Sequence, residues 1–254
     1  MNELNEKVAV ITGGTSGIGL ATAKLFLERG FFVAVVGSTI EKGNEAINFL
    51  HKISLNCSFI QGNVSSASEC EQIIKAVVDK FGQINVLVNS AGVYLEKLIS
   101  EMTEAEYDYV MDINVKGTYF MCKYSIPELR KWNSCAIINV SSDAGINGNL
   151  QCSAYCASKG AVTVFTKALA LELSPYNIRV NCVCPGDIDT PLTRKQFADL
   201  SDPEAGLNEI KKIYPINRIG YAYEVAEVIY FLASDAASFV IGAAWSVDGG
   251  LTAY

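Results

Sequence analysis

The chain has little of what metal sites and histidine-based catalysis require. It contains a single histidine, His51, and its eight cysteines form no C-x-x-C pair. Structural zinc sites usually draw on closely spaced pairs of cysteine and histidine ligands, so neither metal binding nor histidine catalysis is expected. The cysteines are expected to be reduced thiols that pack as small apolar side chains. They are Cys57, Cys70, Cys122, Cys135, Cys152, Cys156, Cys182 and Cys184.

The chain also lacks the features of membrane, secreted and nucleic-acid-binding proteins. No run approaches about 18 apolar residues, and residues 1–7 are polar, without the apolar stretch of a signal peptide. A net charge of −7 and a pI near 4.9 argue against affinity for nucleic acid or anionic membranes. We therefore expect a soluble, cytoplasmic protein. No linker or repeat divides the 254 residues, which predicts one domain over residues 1–254.

Predicted strands and helices alternate along the chain. Short apolar runs predict strands near residues 8–12, 32–37, 57–62, 86–89, 135–140, 179–184 and 244–247. Helical spacing predicts helices near 18–29, 41–53, 66–81, 104–130, 153–173 and 224–233. This alternation predicts an α/β fold, a doubly wound parallel sheet of about seven strands with helices on both faces. Ligands bind beyond the carboxyl ends of such strands, where all the candidate loops of this chain lie.

A glycine-rich turn follows the first predicted strand. Gly13–Gly19 (GGTSGIG) comes directly after Lys7–Thr12, and a helical pattern continues over Leu20–Arg29. Glycines let the backbone turn tightly and lie against a ligand, and the helix N-terminus offers N–H groups to a pyrophosphate. Because a strand precedes the turn and a helix follows it, the context is that of a Rossmann-like dinucleotide site.

Tyr155 and Lys159 are four residues apart in the predicted helix 153–173. Four residues make about one helical turn, so both side chains leave the same face. Free tyrosine titrates near pH ~10, and a cation within hydrogen-bonding range lowers the pKa of an acid by ~1–3 units. The spacing predicts a phenol with a lowered pKa that exchanges a proton with an alcohol or ketone.

Five motifs, in order along the chain, carry a resemblance to a known family. They are the turn with Gly13, Gly17 and Gly19 (T-G-x-x-x-G-x-G), Asn89-Ser90-Ala91-Gly92, Ser141-Ser142, the pair Tyr155/Lys159 and Pro185-Gly186. With them the chain resembles the short-chain dehydrogenase/reductase family from about Lys7 to Gly250. The resemblance implies reversible hydride transfer between a nicotinamide cofactor and an alcohol or carbonyl compound.

The resemblance assigns catalytic roles to four residues. Ser142, which precedes Tyr155 by the family's spacing, would hold the substrate oxygen, and Tyr155 would give or take the proton on that oxygen. Lys159 would lower the pKa of Tyr155 and bind the nicotinamide ribose. Asn114 would hold a water that links Lys159 to solvent.

The resemblance also implies where the cofactor lies. Thr190 and the backbone of Ile188 would hold the nicotinamide carboxamide, and Asn63 stands where the family has an aspartate for the adenine. The expected cofactor-binding residues are Gly13, Thr15, Ser16, Gly17, Ile18, Gly19, Ser38, Thr39, Asn63, Val64, Asn89, Ala91, Gly92, Tyr155, Lys159, Pro185, Gly186, Ile188 and Thr190.

The end of the second predicted strand bears on the choice between NAD and NADP. A carboxylate there binds the ribose 2′-hydroxyl and repels a 2′-phosphate, whereas an arginine attracts the phosphate. This chain has Val36–Thr39 (VGST), in which the hydroxyls of Ser38 and Thr39 can donate to a phosphate. Ser16 occupies a position that is basic in many NADP-dependent members. We expect NADP(H), with NAD(H) as the open alternative.

The segment 191–219 is expected to cover the substrate as a lid, because loops this long are usually functional. Its apolar side chains, together with those near residues 93 and 150, suggest an apolar pocket and a hydrophobic substrate such as a hydroxysteroid. They are Val93, Tyr94, Leu95, Leu150, Leu192, Phe197, Leu200, Leu207, Ile210, Ile213 and Tyr214. A 3-oxoacyl-(acyl-carrier-protein) reductase is the alternative. A basic patch for an acidic carrier would comprise Arg194, Lys195, Lys211, Lys212 and Arg218.

The predicted helices 104–130 and 153–173 are apolar on more than one face. A helix of this kind needs a partner besides its own sheet, so a homo-oligomer, a dimer or tetramer, is expected. A cofactor-binding regulator is the non-enzymatic alternative, although it would not need Asn114, Ser142, Tyr155 and Lys159 together. An epimerase or dehydratase with bound NAD is a third interpretation, but such relatives are generally longer.

Overall fold

A computed structural model describes residues 7–198 and 201–253. The strands of its central sheet are β1 (Val8–Thr12), β2 (Phe32–Gly37), β3 (Cys57–Gln61), β4 (Val86–Asn89), β5 (Cys135–Val140), β6 (Ile178–Pro185) and β9 (Ala244–Val247). All seven are parallel, in the order β3-β2-β1-β4-β5-β6-β9. A separate parallel pair joins β7 (Ile188–Asp189) to β8 (Gly220–Tyr221), which the sequence did not predict. The predicted doubly wound sheet is confirmed.

Helices cover both faces of this sheet. They are α1 (Gly17–Glu28), α2 (Ile40–Leu50), α3 (Ala67–Phe81), α4 (Glu104–Met111), α5 (Thr118–Leu129), α6 (Ser153–Leu173), α7 (Pro191–Phe197), α8 (Pro203–Lys211) and α9 (Ala222–Ala233). Successive strand residues face opposite sides. Val10 and Leu87 therefore pack toward α3, α5 and α6, while Ile11 and Val88 pack toward α1 and α9. Each such side chain contributes about 1.5–3 kcal/mol by leaving water.

The single helix predicted over residues 104–130 is interrupted. It begins at a capping box in which the Thr103 hydroxyl accepts from Glu106 N and the Glu106 carboxylate accepts from Thr103 N. After α4 the backbone forms a π-helical segment, Asp112–Gly117, before α5 continues. A π-segment adds one residue to the turn, which an apolar repeat does not reveal. It lies at Asn114, one of the candidate catalytic residues.

The lid segment has secondary structure of its own. Its helices are α7 and α8, and a small core of Leu207, Tyr214 and Ile219 holds its described parts together. The end of the lid returns to the sheet edge through the pairing of β8 with β7. Leu200, which we counted among the apolar lid residues, lies outside the described residues. Within the described ranges no helix combines the length and apolar content that crossing a bilayer requires.

Candidate active site

A cleft of about 630 Å³ opens at the carboxyl ends of β1, β4, β5 and β6. Its walls are the glycine turn, the loops after these strands, the start of α6 and the lid. Of the expected catalytic residues, Ser142, Tyr155 and Lys159 line it. So do the expected cofactor-binding residues Gly13, Ser16, Gly17, Ile18, Gly19, Ala91, Gly92, Pro185, Gly186, Ile188 and Thr190.

The glycine turn lies against two neighbouring loops and leaves little room for a side chain. Gly13 has a φ of +63°, and a Cβ on it would lie 2.8 Å from Ala91 Cα. Gly17, with a φ of +51°, would bring a Cβ to 3.3 Å from Thr190. A hydrogen bond also joins the residue before the turn to the loop after β4, because Thr12 Oγ1 accepts from Ala91 N at 3.1 Å. No acidic residue lies in the first turn of α1, so this cradle fits an anionic pyrophosphate.

Ser142 is the serine that contacts Tyr155, and its neighbour Ser141 has a structural role. Ser142 Oγ donates to Asp143 Oδ1 at 2.7 Å and accepts from Ala144 N at 3.2 Å. Ser141 also lines the cleft, but its Oγ donates to the backbone oxygen of Lys159 at 2.9 Å. Only Ser142 is placed so that its hydroxyl contacts both Tyr155 and the cleft.

No hydrogen bond between Lys159 Nζ and the Tyr155 hydroxyl is found among the described residues. The Lys159 Nζ lies 5.8 Å from the centre of the Tyr155 ring and donates to Val140 O at 2.9 Å. Burial raises the pKa of Tyr155, the hydrogen bond between Tyr155 and Ser142 opposes this, and the charges of Asp143 and Asp187 raise the pKa further. The prediction that Lys159 lowers the Tyr155 pKa is therefore wrong for this arrangement. Burial of Lys159 itself lowers its pKa to about 8.

Asn114 clamps a loop and does not line the cleft. Its Oδ1 accepts from Val93 N at 2.8 Å, and its Nδ2 donates to Val93 O and to Ser158 Oγ, both at 3.0 Å. The π-helical segment thereby ties the loop after β4 to α6. A Cβ on Gly92 would lie 3.4 Å from both Asn114 Oδ1 and Lys159 Nζ, in van der Waals contact with both. The water-holding role of Asn114 stays a prediction.

Several expected cofactor-binding residues lie away from the cleft. Asn89 is buried in the sheet, where its Nδ2 donates to Asn139 Oδ1 at 2.9 Å, and Val64 is buried beside Gly117. The side-chain oxygen of Asn63 accepts from Ser65 N at 3.1 Å. Thr15, in the glycine turn, packs beside Gly37 at the end of β2, and the exposed Ser38 and Thr39 follow that strand; none of the three lines the cleft. An adenosine end of the cofactor would have to extend outward to reach them.

Three carboxylates that the sequence analysis did not single out also line the cleft. Asp143 and Asp187 directly follow residues of recognised motifs, so their positions in the sequence were a signal. Glu96 lies in the loop after β4, and its Oε2 accepts from Tyr94 OH at 2.9 Å. Tyr94 packs edge-on against Tyr155, with ring centres 5.0 Å apart. Among the described residues no cluster of three or more His, Cys, Asp or Glu side chains could hold a metal ion.

Comparisons with known proteins agree with this fold. A family model described as Enoyl-(Acyl carrier protein) reductase matches residues 13–252. A 3-oxoacyl-(acyl-carrier-protein) reductase FabG of Thermotoga maritima is 38% identical over 98% of this chain and 98% of its own. The L-fucose dehydrogenase of Mus musculus is 38% identical over 96% of this chain and 88% of its own. The structure of a variant actinorhodin polyketide ketoreductase with NADPH superimposes with a TM-score of 0.94, at 32% identity and full coverage of both chains. The chain belongs to the short-chain dehydrogenase/reductase family.

Proposed function

We propose that the protein is an NAD(P)-dependent oxidoreductase that interconverts a secondary alcohol and a ketone. The observation that carries the proposal is the convergence of Ser142, Tyr155 and Lys159 with the glycine cradle on one cleft. A regulator that only binds cofactor would not need a serine, a phenol and an amine at the far end of that cleft.

The chain's own residues would hold the substrate oxygen and move its proton. Ser142 and Tyr155 would both bond the oxygen, and Tyr155 would exchange the proton with it. A nicotinamide cofactor, when bound, supplies or accepts the hydride. Because the pKa of Tyr155 is raised, the phenol keeps its proton at neutral pH and serves as an acid. That protonation state favours reduction of a ketone near pH 7.

The direct test is Tyr155→Phe, compared with Tyr223→Phe, a tyrosine exposed on α9. We expect Tyr155→Phe to retain cofactor binding, measured by nicotinamide fluorescence, and to lose about 10²–10⁴-fold in kcat. Tyr223→Phe should match the wild type in both measurements. Near-normal turnover of Tyr155→Phe would remove Tyr155 from the proton path.

NADP(H) is the cofactor that we favour. No carboxylate lies among Gly37, Ser38 and Thr39, and both hydroxyl side chains are exposed at the end of β2. A ketoreductase similar to this chain binds NADPH, which supports the proposal. NAD(H) remains the alternative, because no cation at this position matches the 2′-phosphate.

The carrier-protein reductase stays the second candidate, supported by relatives that bear that name. Its expected docking patch is largely neutralised. Arg194 pairs with Asp189 at 2.6 and 2.9 Å, and Arg218 pairs with Glu224 at 2.9 and 2.7 Å. Lys212 pairs with Glu209 at 2.6 Å. An acidic carrier would have to displace these partners, which weakens the case for docking here.

The expected apolar pocket is present in part. Leu150, Leu192, Phe197, Ile210 and Ile213 line the cleft. Val93 and Tyr94 join them, whereas Leu207 and Tyr214 pack inside the lid. The apolar side chains support a substrate with a hydrocarbon face. A hydroxysteroid stays a prediction, which the carboxylates of the same cleft weaken.

We further propose a homo-oligomer, a dimer or tetramer, that forms on α5 and α6. Tyr119, Val164 and Leu171 are 50%, 66% and 77% exposed there, too much apolar surface for a face that meets only water. A single domain over residues 1–254, with a lid at about 191–219, stays our expectation, as does a cytoplasmic location without a nucleic-acid or membrane partner.

A further inference from the structure

Three of the four charged side chains that line the cleft are carboxylates. Glu96, Asp143 and Asp187 follow β4, β5 and β6 and line the cleft from three loops. Among the described lining residues, Lys159 is the single cationic side chain, and its Nζ is bonded to Val140 O. An anionic substrate would therefore meet repulsion on several sides and no free cation in the lining.

Each of these carboxylates is held by neutral donors. Asp143 accepts from Ser142 at 2.7 Å and, through Oδ2, from Asn149 Nδ2 at 3.1 Å. Asp187 Oδ2 accepts from Tyr214 OH at 2.7 Å, and Glu96 accepts from Tyr94. An ionised carboxylate has about four acceptor positions. The oxygens that line the cleft are thus oriented by the protein and keep acceptor capacity for a ligand.

Two of the carboxylates, Asp143 and Glu96, are connected to Tyr155 through one intervening side chain each. Asp143 shares its hydrogen bond with Ser142, which contacts Tyr155. Glu96 is bonded to Tyr94, whose hydroxyl lies 3.1 Å from Cys152 Sγ and whose ring packs on Tyr155. Groups attached next to the carbon that carries the substrate oxygen would therefore meet Asp143 and Glu96.

An apolar ketone fits these surroundings poorly. It would strip water from the carboxylates and offer no hydrogen bond in return, which carries a large free-energy cost. A hydroxyl group, in contrast, donates a charge-assisted hydrogen bond to a carboxylate. A single ammonium group could meet only one of three carboxylates that stand on different loops, whereas several hydroxyls could meet them all.

We propose that the substrate is a polyhydroxylated compound, a sugar or polyol, in which hydroxyls next to the reacting carbon donate to Asp143 and Glu96. The carbon face of such a molecule packs against Phe197 and the other apolar lid residues. The proposal rests on the oxidoreductase activity proposed above and names the substrate class of the same site.

The experiment compares the oxidation of matched alcohols, each tested with NADP+ and with NAD+. The absorbance of the NADPH or NADH that forms measures the rate. The probes are cyclohexanol, cyclohexane-1,2-diol, myo-inositol, an aldohexose, 2-aminocyclohexanol, a hydroxysteroid and a 3-hydroxyacyl thioester. We expect kcat/KM to rise about tenfold or more from cyclohexanol to the diol, because one added hydroxyl gains a bond to a charged acceptor. Inositol or the aldohexose should match or exceed the diol.

Asp143→Asn and Glu96→Gln test the two acceptors separately. Each should lower the ratio of kcat/KM for inositol, which has hydroxyls for both acceptors, to that for cyclohexanol about tenfold. Asp79→Asn, the same change on the exposed surface of α3, is the matched control and should leave the ratio unchanged. Cofactor binding and the melting temperature confirm folding. If Asp143→Asn does not fold, the kcat/KM ratio of Glu96→Gln still tests the proposal.

The outcomes separate the two proposals. The substrate class alone is overturned if cyclohexanol or the steroid is turned over with a kcat/KM equal to or higher than that of the diol and the sugars. A preference for the amino alcohol also overturns it. An unchanged ratio in both variants also overturns it. If no alcohol is turned over with either cofactor, the oxidoreductase proposal falls, and the substrate class falls with it.

Discussion

Replacing the buried Lys159 should stabilise the protein while it abolishes activity. Lys159 is 5% exposed, and no carboxylate hydrogen bond or ion pair to its ammonium is found among the described residues. Its pKa is lowered from the ordinary 10.5 to about 8, chiefly by burial. The folded state therefore holds this proton less tightly than the unfolded chain does, and burying the charge opposes folding below pH 8.

The size of this destabilisation follows from the shift in the pKa of Lys159. At about 1.4 kcal/mol per unit, a fall from 10.5 to about 8 amounts to roughly 3 kcal/mol of destabilisation at pH 7. Lys159→Met removes this cost and fills similar volume, but it leaves Val140 O without its donor, which costs about 1 kcal/mol. We expect Lys159→Met to raise the free energy of unfolding by about 2 kcal/mol at pH 7.

The pH dependence gives the sharper test. The free-energy cost of burying the charged amine is full below pH 8. It vanishes as the pH rises through 10.5, where the amine is neutral in both the folded and the unfolded state. The stability gain of Lys159→Met should therefore shrink between pH 8 and 10. Urea unfolding at pH 7 and pH 9.5 measures it, with kcat recorded on the same preparations. Exposed Lys24→Met is the matched control and should show no such pH-dependent gain.

Destabilisation of Lys159→Met at both pH values would refute the reasoning. It would mean that the hydrogen bond to Val140 O, or another interaction, outweighs the cost of burying the charge. A gain in stability that did not change with pH would contradict the assigned cause, because only the charged form carries the desolvation penalty.

Three further predictions concern cofactor choice, proton transfer and loop positioning. Ser38→Asp should raise the KM for NADPH relative to the KM for NADH about tenfold or more, because a carboxylate there repels the 2′-phosphate. An unchanged cofactor preference would mean that the phosphate binds elsewhere. Alcohol oxidation should accelerate with pH from 7 to 9, about tenfold per unit, since it needs the Tyr155 phenolate and burial raises that pKa; a plateau at neutral pH would contradict a raised pKa. Asn114→Ala should lower both kcat and the melting temperature, because Val93 loses two hydrogen bonds; a variant with unaltered stability and turnover would argue against the clamp.

Strand and helix positions could be predicted closely because their determinants are local. The run Lys7–Thr12 has no polar residue on either face between Val8 and Ile11, as a strand covered on both sides must. The glycine turn could be read from the sequence for the same reason. Gly13 and Gly17 adopt positive φ values that other residues rarely adopt.

The interruption at Asp112–Gly117 could not be predicted from the apolar repeat. The residues on both sides are compatible with one continuous helix, and the extra residue is tolerated because Asn114 bonds Val93 and Gly117 packs on Val64. Both partners are distant in sequence. A local pattern carries no information about such contacts.

The sequence by itself determined the order of strands and helices, the edge of the sheet where the site lies, and the residues Ser142, Tyr155 and Lys159 that meet there. The tertiary structure alone decided what surrounds them. It bonds Lys159 to Val140 O, raises the Tyr155 pKa through burial, and brings Glu96 into the same cleft as Asp143. Spacing along a helix sets which side chains share a face, whereas desolvation and charge depend on every group that packs nearby, wherever it stands in the chain.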